Sequence, residues 1–279
     1  MRRVFGEPPL SSESRLNPHP EAHGFPEDAF PIVVAHRGAS STRPENTIPS
    51  FEEAIRLGAR LVEFDVRRSL DGVPVVMHDA TVDRTTDGTG PVHELTADQL
   101  AALNAGTPAH PAHVPTLAQV LGCVSGRAAI AVEIKNIPGE PSFEPTRESI
   151  VEAVHTELER RRFDGPVLVV SFNPASIAAS KALAPEVPTG FLTTDLVDPS
   201  EALAYAVAAG HDMVLPGTRA SIPAGEAFVD EVHAAGLRVG TWTVDDPATF
   251  AMLLGRGFDA VASNDPAMAL GVLAEHVRS

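Results

Sequence analysis

The chain has 279 residues, a length that suits one α/β barrel or two smaller domains. Its formal net charge of −16 repels polyanions, which argues against a nucleic-acid or anionic-membrane partner. The single cysteine, Cys123, excludes an internal disulfide, and we interpret it as a small core residue.

The first thirty residues are expected to form a flexible leader ahead of one domain over 31–279. They begin with two arginines but contain no apolar run of the ~7–15 residues that a signal peptide needs. Nowhere do about 18 apolar residues occur together without charge, so no membrane span is predicted. We therefore expect a cytoplasmic protein without stable membrane association.

After the leader, one pattern repeats: a short apolar, β-branched run and then an amphipathic segment. This alternation is typical of βαβ units and a parallel sheet. The eight runs are IVVAH (32–36), LVEFDV (61–66), AIAVEI (129–134), VLVVSF (167–172), TGFLTT (189–194), DMVLP (212–216), RVGTWTV (238–244) and DAVAS (259–263). Eight units can close into a (β/α)8 TIM barrel, whereas an open doubly wound sheet would carry a glycine-rich nucleotide motif, which this sequence lacks.

The amphipathic segments predict helices over 47–58, 147–162, 174–184, 199–209, 223–235, 246–255 and 266–277. Four of these helices begin at an Asn-Pro or Asp-Pro pair, which combines a side-chain cap with a preset φ. Residues 70–125 break the rhythm with a short strand (73–78), a Thr/Asp/Gly-rich loop and two helical patterns (96–104 and 116–124). We predict a small insertion after the second strand, over the barrel mouth.

Charged residues lie at the ends of two apolar runs, Glu63 and Asp65 in one and Glu133 and Lys135 in the other. Residues two apart on a strand point to the same face, about 7 Å apart, so three carboxylates are predicted to converge at the barrel mouth. Such a set of oxygen ligands suits Mg²⁺ or Ca²⁺. The same spacing also fits a salt-bridge cluster with Arg37 and Lys135.

Two histidines also lie at strand ends, His36 and His78. Imidazole ionises near neutral pH, so the two are candidates for general acid and base catalysis. A histidine in this position could equally be a hydrogen-bonded structural residue. We interpret the histidines in loops and helices as structural: His93, His110, His113, His155, His211 and His233.

Short motifs occur in a recognisable order along the chain. They are HRG at 36–38, PENT at 44–47, Glu63-x-Asp65, DG at 71–72, His78-Asp79, the RTT-G loop at 84–88, PTL at 115–117, VEIK at 132–135, SF at 171–172, Trp242 and SNDP at 263–266. From about residue 32 to 270 the chain resembles the glycerophosphodiester phosphodiesterase family. Three residues depart from the usual pattern: Asp245 stands where Asn is more frequent, and Ser263-Asn264 replaces Thr-Asp.

The resemblance implies a (β/α)8 barrel of lipid and glycerol metabolism that hydrolyses glycerophosphodiesters to glycerol 3-phosphate and an alcohol. It assigns a divalent metal, Mg²⁺ or Ca²⁺, to Glu63, Asp65 and Glu133. It further assigns acid/base catalysis to His36 and His78, and phosphate binding to Arg37 and Lys135. Glu45 and Trp242 are additional site candidates, although the segment with Glu45 could simply lead to a helix cap at Asn46 or Thr47.

Two other functions remain open. A lysophospholipase D-like phosphodiesterase could use the same barrel, but it needs an apolar groove, and the aromatic content of 5% suggests none. A non-catalytic phosphate-binding barrel could dispense with histidines or carboxylates that this chain retains. The expected partner is a small glycerophosphodiester substrate.

Overall fold

The computed structural model describes residues 25–278, and its centre is a closed barrel of eight parallel strands. The strands, with one additional short strand β3, are β1 Ile32–His36, β2 Leu61–Arg68, β3 Pro74–Val76, β4 Ala129–Ile134, β5 Val167–Ser171, β6 Thr189–Thr193, β7 Met213–Pro216, β8 Arg238–Thr241 and β9 Ala260–Ser263. Each of the eight predicted runs forms a barrel strand. The predicted (β/α)8 barrel is confirmed.

The barrel closes because β1 pairs in parallel with both β2 and β9. The β2 and β4 strands pair over six residues, and this register places Asp65 opposite Glu133. The register of β1 and β2 places His36 opposite Glu63. The polar ends of three strands therefore lie at the same end of the barrel.

The helices are α1 Ile48–Leu57, α2 Ala97–Ala101, α3 Leu117–Val124, α4 Ser149–Arg161, α5 Pro174–Leu183, α6 Pro199–Ala209, α7 Thr218–Ala234, α8 Pro247–Gly255 and α9 Pro266–His276. The four predicted Asn-Pro and Asp-Pro starts are present at α5, α6, α8 and α9. In each of them the cap side chain accepts a backbone N–H from the first turn. Among residues 25–278, no helix is both long and apolar enough to cross a bilayer.

Most predicted ends shift by no more than a few residues, but two boundaries differ more from the structure. Helix α7 begins at Thr218 rather than at 223, because a first helical segment precedes a break at Gly225, whose φ is 66°. Pro223 and Gly225 resemble a helix start in the sequence, but they lie at a kink. The insertion ends before α3, because α3 packs between α1 and α4 as a regular helix of the outer ring.

The segment before β1 belongs to the fold from Phe25 onward. Phe25 is buried, and Glu27–Ala29 form a short 3-10 helix like that at Val92–Glu94. The first part of the predicted leader, residues 1–24, lies outside the described residues.

The two faces of the barrel strands differ in packing. Outward side chains such as Val62, Val132 and Val169 are fully buried against the helices. Inward apolar side chains retain a small exposed fraction, up to 9% for Leu168 and Leu215. The barrel interior is therefore less tightly filled than the layer between strands and helices.

Candidate active site

Seven of the predicted site residues lie together at the carboxyl-terminal mouth of the barrel. Strand β1 ends at His36 and β4 is followed by Lys135, while the loop after β3 holds His78. A single cavity is lined by six of the seven, namely His36, Arg37, Glu63, His78, Glu133 and Lys135, and Asp65 is fully buried directly behind them. This end of a barrel is where the loops after parallel strands converge.

The carboxylates of Glu63, Asp65 and Glu133 form a compact acidic cluster. One oxygen from each lies within 4.8 Å of the others, and the three side chains are buried. Within the described chain, Glu63 Oε1, Asp65 Oδ1 and Glu133 Oε1 accept no hydrogen bond of proper geometry. In the described chain Glu63 Oε1 has no donor, while the oxygens of Asp65 and Glu133 face the Lys135 ammonium. A buried set of carboxylate oxygens suits a hard divalent cation, so these residues could hold one.

Two cationic side chains border the acidic cluster. Lys135 Nζ lies 3.0 Å from Asp65 Oδ1 and also forms an ion pair with Glu133. Arg37 Nε lies 3.2 Å from Asp65 Oδ2, and the Arg37 backbone N–H donates to Glu63 Oε2 over 2.9 Å. The salt-bridge arrangement that the spacing allowed is thus present, yet three carboxylates face two cations and one negative charge remains in excess.

The pKa values of the cluster reflect this imbalance. Burial and the neighbouring Asp65 carboxylate raise the pKa of Glu63 to about 8. Burial also raises the pKa of Glu133 to about 7 despite the opposing charge of Lys135. Although burial opposes its ionisation, Lys135 and Arg37 hold the pKa of Asp65 well below its ordinary value. Two of the three carboxyls therefore bind protons near neutral pH unless a cation replaces them.

The two histidines have different partners. Nδ1 of His36 lies 2.7 Å from Oδ1 of Asn264, and its Nε2 lies 3.9 Å from Glu63 Oε2. Nδ1 of His78 lies 2.6 Å from a carboxylate oxygen of Asp79. Burial lowers the pKa of both imidazoles. Each histidine has Nδ1 occupied, which leaves Nε2 available to a substrate.

A tight loop after β1 presents Arg37 to the cluster. Arg37 has a φ of 57° and Gly38 a φ of 82°. A Cβ at Gly38 would lie 2.6 Å from the backbone carbonyl carbon of Ser50, so the loop packs against α1 in a way that glycine alone permits. The glycine of the HRG motif thus allows Arg37 to approach the carboxylates.

Asn46 and Glu45 hold the site in place rather than capping α1. Thr47 is the N-cap residue, but its hydroxyl donates to the Pro44 carbonyl and makes no cap. Asn46 Nδ2 instead donates to Asp65 Oδ2 over 2.7 Å. Glu45 accepts from Arg37 and also from both terminal nitrogens of Arg84. Glu45 lies outside the acidic cluster, where it orients Arg37.

Comparison with known proteins agrees with this geometry. The model of the glycerophosphoryl diester phosphodiesterase family matches residues 36–268. The chain belongs to this family. A glycerophosphodiester phosphodiesterase from Caldanaerobacter subterraneus subsp. tengcongensis is 31% identical over 245 residues, which are 84% of this chain and 94% of that protein. One from Bacillus subtilis is 31% identical over 256 residues, with coverage of 84% on both sides.

Solved structures of family members have the same architecture. A phosphodiesterase from Oleispira antarctica, solved with the product sn-glycerol-3-phosphate, is 29% identical and has a TM-score of 0.80. The similarity covers 88% of this chain and 98% of the other. As a member of this family, the protein is an enzyme, a glycerophosphodiester phosphodiesterase.

Trp242 forms an apolar wall of the phosphodiesterase site. Its Nε1 donates to the Leu215 carbonyl over 3.0 Å, and its ring meets Phe172 edge to face at 5.2 Å between centroids. The Nζ of Lys135 lies 5.8 Å from the centre of the Phe172 ring. Trp242 thus lines the same cavity as the candidate site residues and offers it an apolar surface.

The cavity at the mouth continues down the barrel axis. It has a volume of about 1020 Å³ and reaches Phe25 and Phe30 at the amino-terminal end. Its middle is lined by inward aliphatic side chains: Ile32, Val34, Leu168, Val170, Leu192, Leu215, Ala260 and Ala262. The low aromatic content suggested no apolar groove, but mainly aliphatic residues provide one here.

Sequence reasoning assigned no role to four residues that support the site. Arg67 donates from Nε to the His78 carbonyl, and Asp79 and Asn264 bind the two catalytic-candidate imidazoles. Arg84 binds Asp79 through Nε over 2.6 Å. The sequence positions of Arg67 and Asn264 could have identified them as site residues. Arg67 lies two residues after Asp65 and so points to the same face of β2, and Asn264 directly follows β9.

Proposed function

We propose that this phosphodiesterase hydrolyses glycerophosphodiesters to glycerol 3-phosphate and an alcohol with a divalent metal and two histidines. The observation that carries the proposal is the convergence of three buried carboxylates, two histidines and two cations in one cavity. The family match and the product complex of the Oleispira antarctica relative support it.

Glu63, Asp65 and Glu133 would hold the metal, because one oxygen from each buried carboxylate lies within 4.8 Å of the others. Mg²⁺ or Ca²⁺ suits an all-oxygen set of this kind. Bound there, the cation would stabilise negative charge on the non-bridging phosphate oxygens. Arg37 and Lys135 would bind the same oxygens from the cavity wall and supply charge stabilisation as phosphorus is attacked.

The histidine partners suggest how the acid/base work is divided. His78 faces the Asp79 carboxylate, which stabilises an imidazolium ion and suits a general acid. His36 faces the neutral amide of Asn264, which offers no such charge. We assign His36 as the base that deprotonates the attacking hydroxyl and His78 as the acid that protonates the leaving alkoxide.

The test is a panel of glycerophosphodiesters with choline, ethanolamine and glycerol headgroups, assayed for released glycerol 3-phosphate. Hydrolysis should occur with Mg²⁺ or Ca²⁺ and disappear with chelator. The Glu63→Gln variant should lose metal-stimulated activity, while Glu53→Gln on α1, outside the acidic cluster, should retain it. Release of glycerol 3-phosphate that is unaffected by chelator would contradict the metal role.

The apolar cavity favours a second candidate, lysophospholipase D-like hydrolysis. Its aliphatic lining could accept an acyl chain attached to the glycerol. The enzyme would then hydrolyse lysophosphatidylcholine at least as well as glycerophosphocholine. Ala260→Leu, which narrows the cavity at the amino-terminal end of β9, should reduce the first activity and leave the second. Equal reduction of both would exclude the cavity as an acyl site.

A further inference from the structure

Asp245 and Asn264 form a hydrogen-bonded pair at the barrel mouth, next to His36. Asp245 Oδ2 accepts from Asn264 Nδ2 over 2.6 Å, and Asp245 Oδ1 accepts from the Asn264 backbone N–H over 2.8 Å. The hydroxyl of Ser263, the last residue of β9, donates to the same Oδ1 over 2.9 Å. The segment after β8 thereby fixes both the backbone and the side chain of the residue after β9.

The pairing determines which way the Asn264 amide points. An ionised carboxylate can only accept hydrogen bonds, so the amide atom that contacts Asp245 must be the NH₂ group. The amide oxygen then lies 2.7 Å from Nδ1 of His36 and 2.9 Å from the hydroxyl of Ser40. Because that oxygen can only accept, the hydrogen must be on His36 Nδ1.

This chain of contacts selects one tautomer of His36. In a neutral imidazole with the hydrogen on Nδ1, the lone pair is on Nε2. That nitrogen lies on the side of the acidic cluster, 3.9 Å from Glu63 Oε2. A histidine in this tautomer can accept a proton at the reacting centre, whereas the other tautomer cannot.

We propose that Asp245 is a positioning residue that, through Asn264, holds His36 in the Nδ1–H tautomer and leaves Nε2 free as a proton acceptor. The proposal rests on the proposed hydrolysis, in which His36 is the base. Asp245 is exposed and touches neither histidine itself, so its effect passes through the Asn264 amide.

The neighbouring Asp246 is a matched control. It is also exposed, but its Oδ2 accepts the Thr249 backbone N–H over 2.7 Å and caps α8. Asn is as good a cap as Asp, so Asp246→Asn removes the same charge one residue away without loss of the cap. This variant should keep wild-type kcat.

Two single variants, at Asp245 and at Asn264, test the directions of these hydrogen bonds. Asp245→Asn removes the carboxylate that orients the amide, and Asn264→Asp brings two carboxylates into contact. Each should lower kcat roughly 10- to 100-fold, as is usual for a residue that orients a functional histidine, with little change in KM. The double variant Asp245→Asn/Asn264→Asp has an amide donor at 245 and a carboxylate acceptor at 264. That carboxylate can still accept the Nδ1–H of His36, so the double variant should recover most of the lost kcat.

The tautomer can be read without substrate by ¹⁵N NMR of histidine-labelled protein at a pH where the imidazole is neutral. Wild-type His36 should carry its hydrogen on Nδ1, and Asp245→Asn should show a mixture of tautomers. Three outcomes would overturn the proposal: an Nε2–H signal for His36 in the wild type, wild-type kcat in both single variants, or a double variant no faster than the slower single one. If the wild-type enzyme hydrolyses no glycerophosphodiester, the proposed function is wrong. The NMR result still decides the tautomer of His36 in that case.

Discussion

The imidazoles of His36 and His78 are chemically the same, so their roles depend on their neighbours. An activated leaving alcohol of low pKa needs no protonation, and loss of the acid then matters little. We expect His36→Ala and His78→Ala each to lower kcat on ordinary glycerophosphodiesters by roughly 10²–10⁴-fold. On a nitrophenyl ester of glycerophosphate, His78→Ala should regain much of its activity and His36→Ala should not.

The control for this experiment is His233→Ala, which lies on α7 and pairs with Asp259 away from the site. It should behave as wild type with both substrates. Rescue of His36→Ala rather than His78→Ala would reverse the assignment. If both His36→Ala and His78→Ala hydrolyse ordinary glycerophosphodiesters at near wild-type rates, the two-histidine mechanism is wrong.

Lys135 has two roles that the sequence could not separate. The family resemblance makes it a phosphate ligand, and the spacing also fits a salt-bridge cluster. The structure buries it between Asp65 and Glu133. Lys135→Ala should lower kcat/KM by roughly 10²–10³-fold, the usual effect of losing one group that stabilises developing charge. It should also lower the Tm of the chelated protein, because it leaves a buried carboxylate with fewer partners.

Lys181→Ala is the comparison, since Lys181 pairs with Asp212 near the opposite end of the barrel and is farther from the carboxylates. It should change kcat/KM little. The assay is steady-state kinetics together with thermal unfolding in chelator and in Ca²⁺. A Lys135→Ala enzyme with normal kcat/KM and a low Tm would make Lys135 a purely structural partner of Glu133.

At the scale of strands and helices, local pattern and chain direction were enough to predict the barrel. The eight apolar runs and the Asn-Pro or Asp-Pro helix starts are local signals, and they matched the observed elements. The break in α7 was missed because Pro223 and Gly225 read as a boundary. Contacts between distant loops, such as Arg84 with Glu45, depend on how the insertion folds over the mouth, and no spacing rule encodes them.

Arg84 connects the insertion after β2 to the loop after β1. It binds Glu45 with two nitrogens and Asp79 with Nε, and these acids orient Arg37 and His78 respectively. Arg84→Ala should lower kcat/KM roughly 10- to 100-fold through the loss of this orientation. Since its side chain is half exposed, the stability cost should stay within about 1 kcal/mol.

Arg56→Ala provides the matched control, because Arg56 also binds a carboxylate with two nitrogens, that of Glu53, on the exposed face of α1. The Arg56→Ala variant should keep wild-type activity. Kinetics of both variants, with thermal unfolding alongside, make the comparison. If Arg84→Ala keeps full kcat/KM, the insertion does not position the site through this arginine.

For the whole molecule, the excess negative charge in the acidic cluster links folding to pH and, if the proposed metal binds there, to metal concentration. Glu63 and Glu133 have pKa values of about 8 and about 7, above the ordinary 4.5. A carboxyl whose pKa rises on folding stabilises the folded state fully below its ordinary pKa, and this contribution is lost as pH rises through the folded value. The lowered pKa values of Asp65, His36 and His78 act at lower pH, so they do not offset this loss above neutrality.

We therefore expect the Tm of the chelated enzyme to fall between about pH 6 and pH 8.5 as the protons leave Glu63 and Glu133. In the proposed site Ca²⁺ would replace those protons, so the rise in Tm on adding Ca²⁺ should be larger at the upper pH than at the lower. Calorimetric unfolding in chelator and in Ca²⁺ across this interval measures both effects. In the Glu63→Gln/Glu133→Gln double variant, the Tm should vary less with pH and respond little to Ca²⁺. A chelated wild-type Tm that does not fall over the same interval would mean that these carboxyls are already ionised in the folded chain, with Arg37 and Lys135 sufficient to neutralise them.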